Sequence, residues 1–250
     1  MTMDISFQLY SAREFTPWPE VIEMLAGLGY TQVEGFGGNY EDPAAFRALL
    51  DRHGLKMRSG HVFPLDNFEN DLPKVLETAR TLGIERLFCP ALPPEQRKAD
   101  AEGWRAVGKR LEAVGEKVRD AGLRFGWHNH DFEFATLADG PLPMDIILQT
   151  APTIEWEADI AWIVRGGQNP LDWIERYADR ITTAHVKDIA PDGENADEDG
   201  WADVGHGTMD WKTIHAALVK AGVDLFVMEH DKPADVKRFA TRSIETFKTF

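Results

Sequence analysis

Two hydrophobic periods alternate along this chain almost without exception, and that alternation restricts the fold more than any single residue does. Short apolar or β-branched runs occupy residues 5–9, 31–36, 55–59, 84–89, 123–127, 153–157, 181–186 and 224–228. The stretches between them repeat at helical spacing. The clearest carries Trp104, Val107, Leu111, Val114 and Val118, at steps of 3, 4, 3 and 4. Val21, Leu25 and Leu28 follow the same rule, as do Leu72, Val75, Ala79 and Leu82, and Val236, Phe239, Ser243 and Phe247. Gly29, Gly54, Gly83, Gly122 and Gly222 stand where a helical stretch hands over to an apolar run, a place where the left-handed conformation closes a helix. The repeating unit is therefore βα rather than a hairpin. Eight such units in 250 residues predict an α/β protein, a single-domain (β/α)8 barrel over residues 1–250 with no linker or composition break. The least patterned helix is expected around Pro143 to Thr150. An open doubly wound sheet competes poorly, because Gly35-Phe36-Gly37-Gly38 is a weak version of a dinucleotide turn and no P-loop is present.

Charge narrows the partners. With 27 basic against 42 acidic residues the net charge is −15, so a surface built to neutralise nucleic-acid phosphates is excluded. No uncharged run approaches the ~18 residues of a membrane helix, and the start of the chain lacks a basic segment followed by an apolar one. A cytoplasmic protein without nucleic-acid or membrane partners is the expectation. Cys89 is the single cysteine, which rules out internal disulfides and thiolate-clustered metals. Any metal must sit on oxygen and nitrogen.

In a barrel of this type the carboxyl ends of the strands converge on one mouth. There stand Glu34, His61, His128, His130 with Glu133 beyond, Asp159, His185 with Lys187 and Asp188, and Glu229. Packing alone would be served by hydrophobes, and unpaired buried charge is costly, so a divalent cation is the simplest explanation of this set. Asp159, His185 and Glu229 end three consecutive strands and are the first candidate ligands. His128 and His130 share parity and face the same way while their strand lasts, and Glu133 can bend back from the following loop. The oxygen and imidazole donors suit Mn²⁺, Mg²⁺, Co²⁺, Fe²⁺ or Zn²⁺, with manganese the first expectation for a carboxylate-rich set. His53 and His215 fall inside helices and are read as structural.

The ordered set Glu34, Ser59-Gly60-His61, Trp127-His128-Asn129-His130-Asp131-Phe132-Glu133-Phe134, Glu157-Ala158-Asp159, His185-Val186-Lys187-Asp188, Val204-Gly205-His206-Gly207 and Met228-Glu229-His230-Asp231 resembles the sugar phosphate isomerase/epimerase family. That is the xylose-isomerase-like TIM barrel group, which also holds inosose dehydratases, hydroxypyruvate isomerase, ketose 3-epimerases and endonuclease IV. The resemblance implies a metal held by a fifth-strand donor with Asp159, His185 and Glu229. Ketose epimerases carry Glu where His128 aligns, so the fifth-strand ligand is left open among His128, His130 and Glu133, and Glu133 is the metal ligand expected here. The histidine-rich version looks more like the dehydratase and keto-sugar lyase branch.

The implied chemistry is proton abstraction next to a carbonyl, with the metal stabilising a developing enediolate and a positioned base taking the proton. His128 or His130 is the expected base, with Glu229 as ligand and possible base. Lys187 is expected near the negative oxygen, or in a salt bridge to Asp188 or Glu157. Glu34, His61 and His206 are expected to contact substrate hydroxyls, and Trp18 and Trp201 to stack on a sugar face. A phosphate group is disfavoured, because no arginine cluster or Gly-rich helix start lies at the mouth. The first expectation is a metal-dependent isomerase or epimerase of a small-molecule sugar or keto-sugar. The alternatives are a lyase or dehydratase on a keto-inositol or 3-keto-glycoside, and a non-catalytic sugar-binding barrel. A homo-oligomer is compatible with all three. The longest unpatterned segment, from Asp188 to Met209, carries Asp192, Glu194, Asp197, Glu198 and Asp199 and is expected to be a solvated acidic loop or lid after a barrel strand.

Overall fold

The computed structural model describes residues 5–97, 100–138 and 140–250. Strands β1 (Ile5–Gln8), β2 (Gln32–Gly35), β3 (Lys56–His61), β4 (Arg86–Cys89), β5 (Arg124–His128), β6 (Glu155–Asp159) and β7 (Ile181–Val186) follow one another with helices between. After them come a two-residue ribbon, β8 (Asp188–Ile189) with β9 (Trp201–Ala202), and the last barrel strand, β10 (Leu225–Met228). Among the described residues, eight parallel strands close into one barrel in the order β1-β10-β7-β6-β5-β4-β3-β2, as the periodicity predicts. All eight predicted runs become these strands.

Most strand residues are buried, as befits a parallel sheet covered on one face by helices and filled on the other by its own side chains. The helical stripe from Trp104 to Val118 lies on a helix Ala101–Asp120 and turns inward as a buried face. Gly29, Gly54, Gly83, Gly122 and Gly222 all have positive φ, between 69° and 93°, which confirms them as the helix-closing positions. The weakly patterned unit forms a helix at Pro143–Thr150.

Register places the chemistry. Gln8 pairs with Glu34 across β1 and β2, His128 with Glu157 across β5 and β6, and Asp159 with His185 across β6 and β7. Because parallel neighbours stand level along the barrel, these pairings bring polar side chains from separate strands to one height at the carboxyl end. The segment 188–209 is less open than expected. Its ribbon is held by Asp188, whose carboxylate accepts the backbone N–H of Ile189 at 2.8 Å, Gly205 at 2.8 Å and Met209 at 3.2 Å. Asp192, Glu194, Asp197 and Asp199 are exposed as expected, but Glu198 is buried, where it accepts from Arg238 Nη2 at 2.6 Å.

Candidate active site

Polar side chains from β1, β2, β3, β5, β6 and β7 meet at the barrel mouth with Glu229, which lies just past β10. Glu34 of β2 is fully buried, its Oε1 accepting from Gln8 Nε2 at 2.7 Å and meeting His185 Nε2 at 2.7 Å. Above it, Glu157 Oε2 is approached by three rings: His61 Nε2 at 2.5 Å, His128 Nδ1 at 3.1 Å and His185 Nε2 at 3.3 Å. The other face of His185 turns to the remaining carboxylates, with Nδ1 2.8 Å from Glu229 Oε2 and 3.9 Å from Asp159 Oδ2. Asp159, His185 and Glu229 therefore meet, as the sequence suggests.

The side chain of Asn129 fixes the junction of β5 and β6. Its Oδ1 accepts the Asp159 backbone N–H at 3.0 Å and Trp156 Nε1 at 2.8 Å, while its Nδ2 donates to the Asp159 carbonyl at 3.0 Å. Asp159 in turn caps the following helix, accepting Trp162 N–H at 3.0 Å. His128 is thereby held on one side of Asn129 and His130 on the other, their rings 5.1 Å apart.

Burial and charge set the protonation states. His185 is desolvated, but Glu157, Glu229 and Glu34 outweigh that and hold its ring charged well above the usual histidine range. Burial also works against Glu157, yet His185 and His61 keep it ionised. Asp159 is pushed up to about 7 by burial, with Lys187 opposing and Glu229 reinforcing the rise. His130 is driven down to about 4 by burial and then by Lys187, so its ring is neutral. His128 is likewise kept neutral by burial and by His185.

Among the described residues, two groups can hold a metal ion, and they share His128 and His185: His61, His128, Glu157 and His185, and His128, Asp159, His185 and Glu229. The fit is chemical as well as spatial. Glu34 Oε2 and Glu157 Oε1 are buried without a hydrogen bond among the described residues, an expensive arrangement that a cation would relieve.

A cavity of about 380 Å³ opens above these groups. His61, His128, His130, Glu229 and Asp231 form its polar side, and Tyr10, Phe36, Phe63, Pro90 and Ala91 its apolar side. Such a volume and a divided wall suit a small polyol with one C–H-rich face. A neighbouring cavity of about 360 Å³ beside Tyr40, Lys74 and Leu87 contains none of the metal-binding groups.

Several expected residues are placed elsewhere. Glu133 is not in either metal group: its Oε2 accepts the His130 backbone N–H at 2.9 Å and its Oε1 accepts from Trp127 Nε1 at 3.2 Å, so it shapes the loop after β5. Trp18 begins a helix and packs its ring against Phe36 and Phe46 outside the cavity. Trp201 is buried, stacked edgewise on Trp162, and forms a wall around Lys187 rather than a sugar platform. His206 is exposed and lines a separate polar depression with Arg238 and Arg242. Glu34 is buried against His61 and His185 and does not line the cavity. Lys187 is paired with Asp159 at 3.1 Å, Glu229 at 2.8 Å and Asp231 at 2.8 Å, not with Asp188 or Glu157.

Two functional features escaped the sequence reading. Glu157 shares parity with Asp159 on one strand, the same signal that drew attention to His128 and His130. The aromatic side of the cavity comes from Tyr10, Phe36 and Phe63 on the loops after β1, β2 and β3, and Phe63 is half exposed there.

A family model described as a xylose isomerase-like TIM barrel matches residues 22–248. An inosose dehydratase of Geobacillus kaustophilus is 25% identical over 196 residues, covering 69% of this chain and 62% of its own length. This chain therefore spans under two thirds of that relative. An inosose dehydratase of Lacticaseibacillus casei is 28% identical over 250 residues, 86% of this chain and 82% of that one. In fold, a sugar phosphate isomerase/epimerase from Parabacteroides distasonis superposes with a TM-score of 0.84 at 22% identity, covering 99% of this chain and 94% of that chain. Among the described residues no helix is long and apolar enough to cross a membrane.

Proposed function

The chain belongs to the xylose isomerase-like TIM barrel family, and from that membership we propose that it is a divalent-metal-dependent enzyme that removes a proton beside the carbonyl of a keto-sugar and then eliminates water. The observation that supports this reading best is the polar wall of the cavity. It sets a free neutral imidazole, His130, beside a cluster of donors that can hold a cation. The metal would be held by His128 and His185 together with either His61 and Glu157 or Asp159 and Glu229; when bound, it would act as a Lewis acid toward the carbonyl and a neighbouring hydroxyl.

His130 is the base in this reading. Its ring lines the cavity and is neutral at physiological pH, so it carries a lone pair that can take a proton. Glu133 fixes its backbone, and Phe132 stacks on its ring with centroids 5.8 Å apart. Asp231 and Glu229 line the same wall and can orient substrate hydroxyls. Tyr10, Phe36 and Phe63 exclude water from the opposite side.

Elimination is favoured because His128 replaces the fifth-strand carboxylate of a symmetrical two-carboxylate epimerase, and because the relatives from Geobacillus kaustophilus and Lacticaseibacillus casei are inosose dehydratases, which makes a keto-inositol the first substrate to try. Isomerisation or epimerisation rests on a different feature. Glu229 and His130 line one cavity, so a proton lifted by one group can be returned by the other. Incubation with a keto-inositol and with a 3-keto-glycoside separates the two. The elimination reading predicts a product lighter by one water or one aglycone, with conjugated-carbonyl absorbance in the ultraviolet. A product of unchanged mass supports the isomerase, and no turnover of either substrate counts against both.

A further inference from the structure

We propose that the substrate of this site is a keto-sugar with an apolar arm, a 3-keto-glycoside whose aryl aglycone lies on Tyr10, Phe36 and Phe63 while its sugar ring faces His130 and Glu229. This rests on the elimination reading above and names the substrate class that the cavity selects.

The cavity is one space with two walls of different chemistry. Tyr10, Phe36, Phe63, Pro90 and Ala91 make one wall without a charged side chain. Among the described residues four large hydrophobic side chains are exposed, and two of them, Phe63 at 50% and Tyr10 at 39%, stand in this wall. Exposed rings gain the fold nothing, so their gathering beside the polar cluster points to a ligand that covers them. Both are held ready. Asn67 Nδ2 donates to the Phe63 carbonyl at 2.8 Å, and the preceding Val62 N–H donates to the Phe88 carbonyl at 3.0 Å, so the backbone that presents Phe63 is fixed. Tyr10 meets Phe36 edge-on with centroids 5.4 Å apart, and the Arg13 guanidinium lies 3.9 Å over the Tyr10 ring. Little ordering entropy remains to be lost when a ligand ring settles there.

A keto-inositol does not match this division. It carries a hydroxyl on every carbon but the carbonyl, and although its C–H face can cover one ring, its hydroxyl rim would then meet Phe36, Phe63 and Pro90, whose side chains offer no hydrogen-bond partner. A glycoside divides as the cavity does, with carbonyl and hydroxyls toward the histidines, Glu229 and Asp231, and the aglycone toward the rings. The elimination also closes on this substrate. His130 takes the proton from C2, beside the C3 carbonyl, and that C–H pair becomes the C1–C2 double bond. The C1–O bond breaks with its pair going to the aglycone oxygen, which takes a proton from solvent as His130 returns its own. The products are a 2-hydroxy enone sugar and a free phenol, and an aryl oxygen carries the departing pair better than an alkyl one.

The test compares phenyl and methyl β-glucosides, and their 3-keto forms, on the full chain as wild type and Phe63→Ala, with melting curves to establish that the variant is folded. The unoxidised glucosides have no carbonyl and cannot react, so ligand-observed NMR reads their binding alone. The proposal predicts that wild type holds the phenyl glucoside roughly 10-fold or more tighter than the methyl one, and that Phe63→Ala brings this ratio below about 3-fold. The wild-type ratio tests the proposal without any variant. With metal-saturated protein, kcat/KM of the two 3-keto forms should show the same preference and the same loss, and the phenyl form should outrun a keto-inositol. Equal affinities in wild type, a preference that survives Phe63→Ala, or faster turnover of the keto-inositol overturns the proposal. So does a wild-type dimer in sedimentation that Phe63→Ala dissociates, because a second copy would then cover these rings. A phenyl preference in binding with no turnover of any keto-sugar supports the aromatic wall and overturns the elimination reading instead.

Discussion

His215 sits inside the helix Trp211–Ala221 with its ring against Phe226, Phe247 and Phe250, and its Nε2 has no hydrogen-bond partner among the described residues. Burial lowers its pKa, because an imidazolium there would lose water without gaining a counter-charge. The neutral ring is the form that fits. Its contribution to stability is therefore full above the unfolded value of about 6.5 and is lost as pH falls through the lower folded value. Denaturant midpoints of wild type and His215→Phe should diverge as pH drops from about 7 to 5, with wild type falling faster. Parallel curves would contradict this. The position of His215 in a helical stripe was enough to read it as structural. Asp159, His185 and Glu229 were legible for a similar reason, since a strand's end and its parity define where its side chain points. Side-chain direction was not available for Trp18 or Trp201. Each lies near the mouth in sequence, yet one turns onto Phe46 and the other onto Lys187. The partners of Lys187 were illegible because they come from β6 and from residues just past β10, whereas Asp188, adjacent in sequence, serves the ribbon instead.

The helix Ala101–Asp120 and the helix Pro143–Thr150 are packed so closely that Gly108 has no room for a side chain. A Cβ built there would lie 2.7 Å from Thr150 Cβ and 3.0 Å from its Cγ2. Alanine is the better helix former by up to about 1 kcal/mol, so propensity alone predicts that Gly108→Ala stabilises. Contact with a β-branched side chain fixed on a helix opposes this, and overpacking of that kind costs about 1–3 kcal/mol. The account predicts a net loss of stability in urea unfolding; a gain would show that the helix pair yields more easily than its packing implies. Gly108 lies among the apolar positions of the stripe, but its tight contact depends on the facing helix, the one with the weakest pattern in the sequence. The ribbon after β7 was illegible for another reason. Its strands are two residues long, and its shape is set by the Asp188 carboxylate gripping three backbone N–H groups up to 21 residues away. Hydrophobic period carries no trace of such a device.

At the scale of the whole molecule, closure of the barrel turns eight separate strand ends into one site. Arg86 shows how the opposite end is sealed: its guanidinium, 1% exposed, donates to the Thr182 carbonyl at 2.9 Å, to Thr183 Oγ1 at 3.1 Å and to both oxygens of Asp224 at 2.7 and 2.8 Å. The chain thus places a positive plug at one end and a carboxylate–imidazole cluster with an open cavity at the other. The βα repeat and the polar strand ends made this polarity readable from sequence, while the two overlapping donor groups that share His128 and His185 required the register. The central claim is that this cluster and His130 together lift a proton from the carbon beside a carbonyl, whichever fate follows. The direct test is proton NMR of a keto-inositol in D₂O with metal-saturated protein, following the C–H signal next to the carbonyl. The account predicts that wild type abolishes this signal, by deuterium uptake or by conversion, and that His130→Gln slows its loss by roughly 10²-fold or more. A signal that persists with wild type, or that disappears equally fast with His130→Gln, would contradict it.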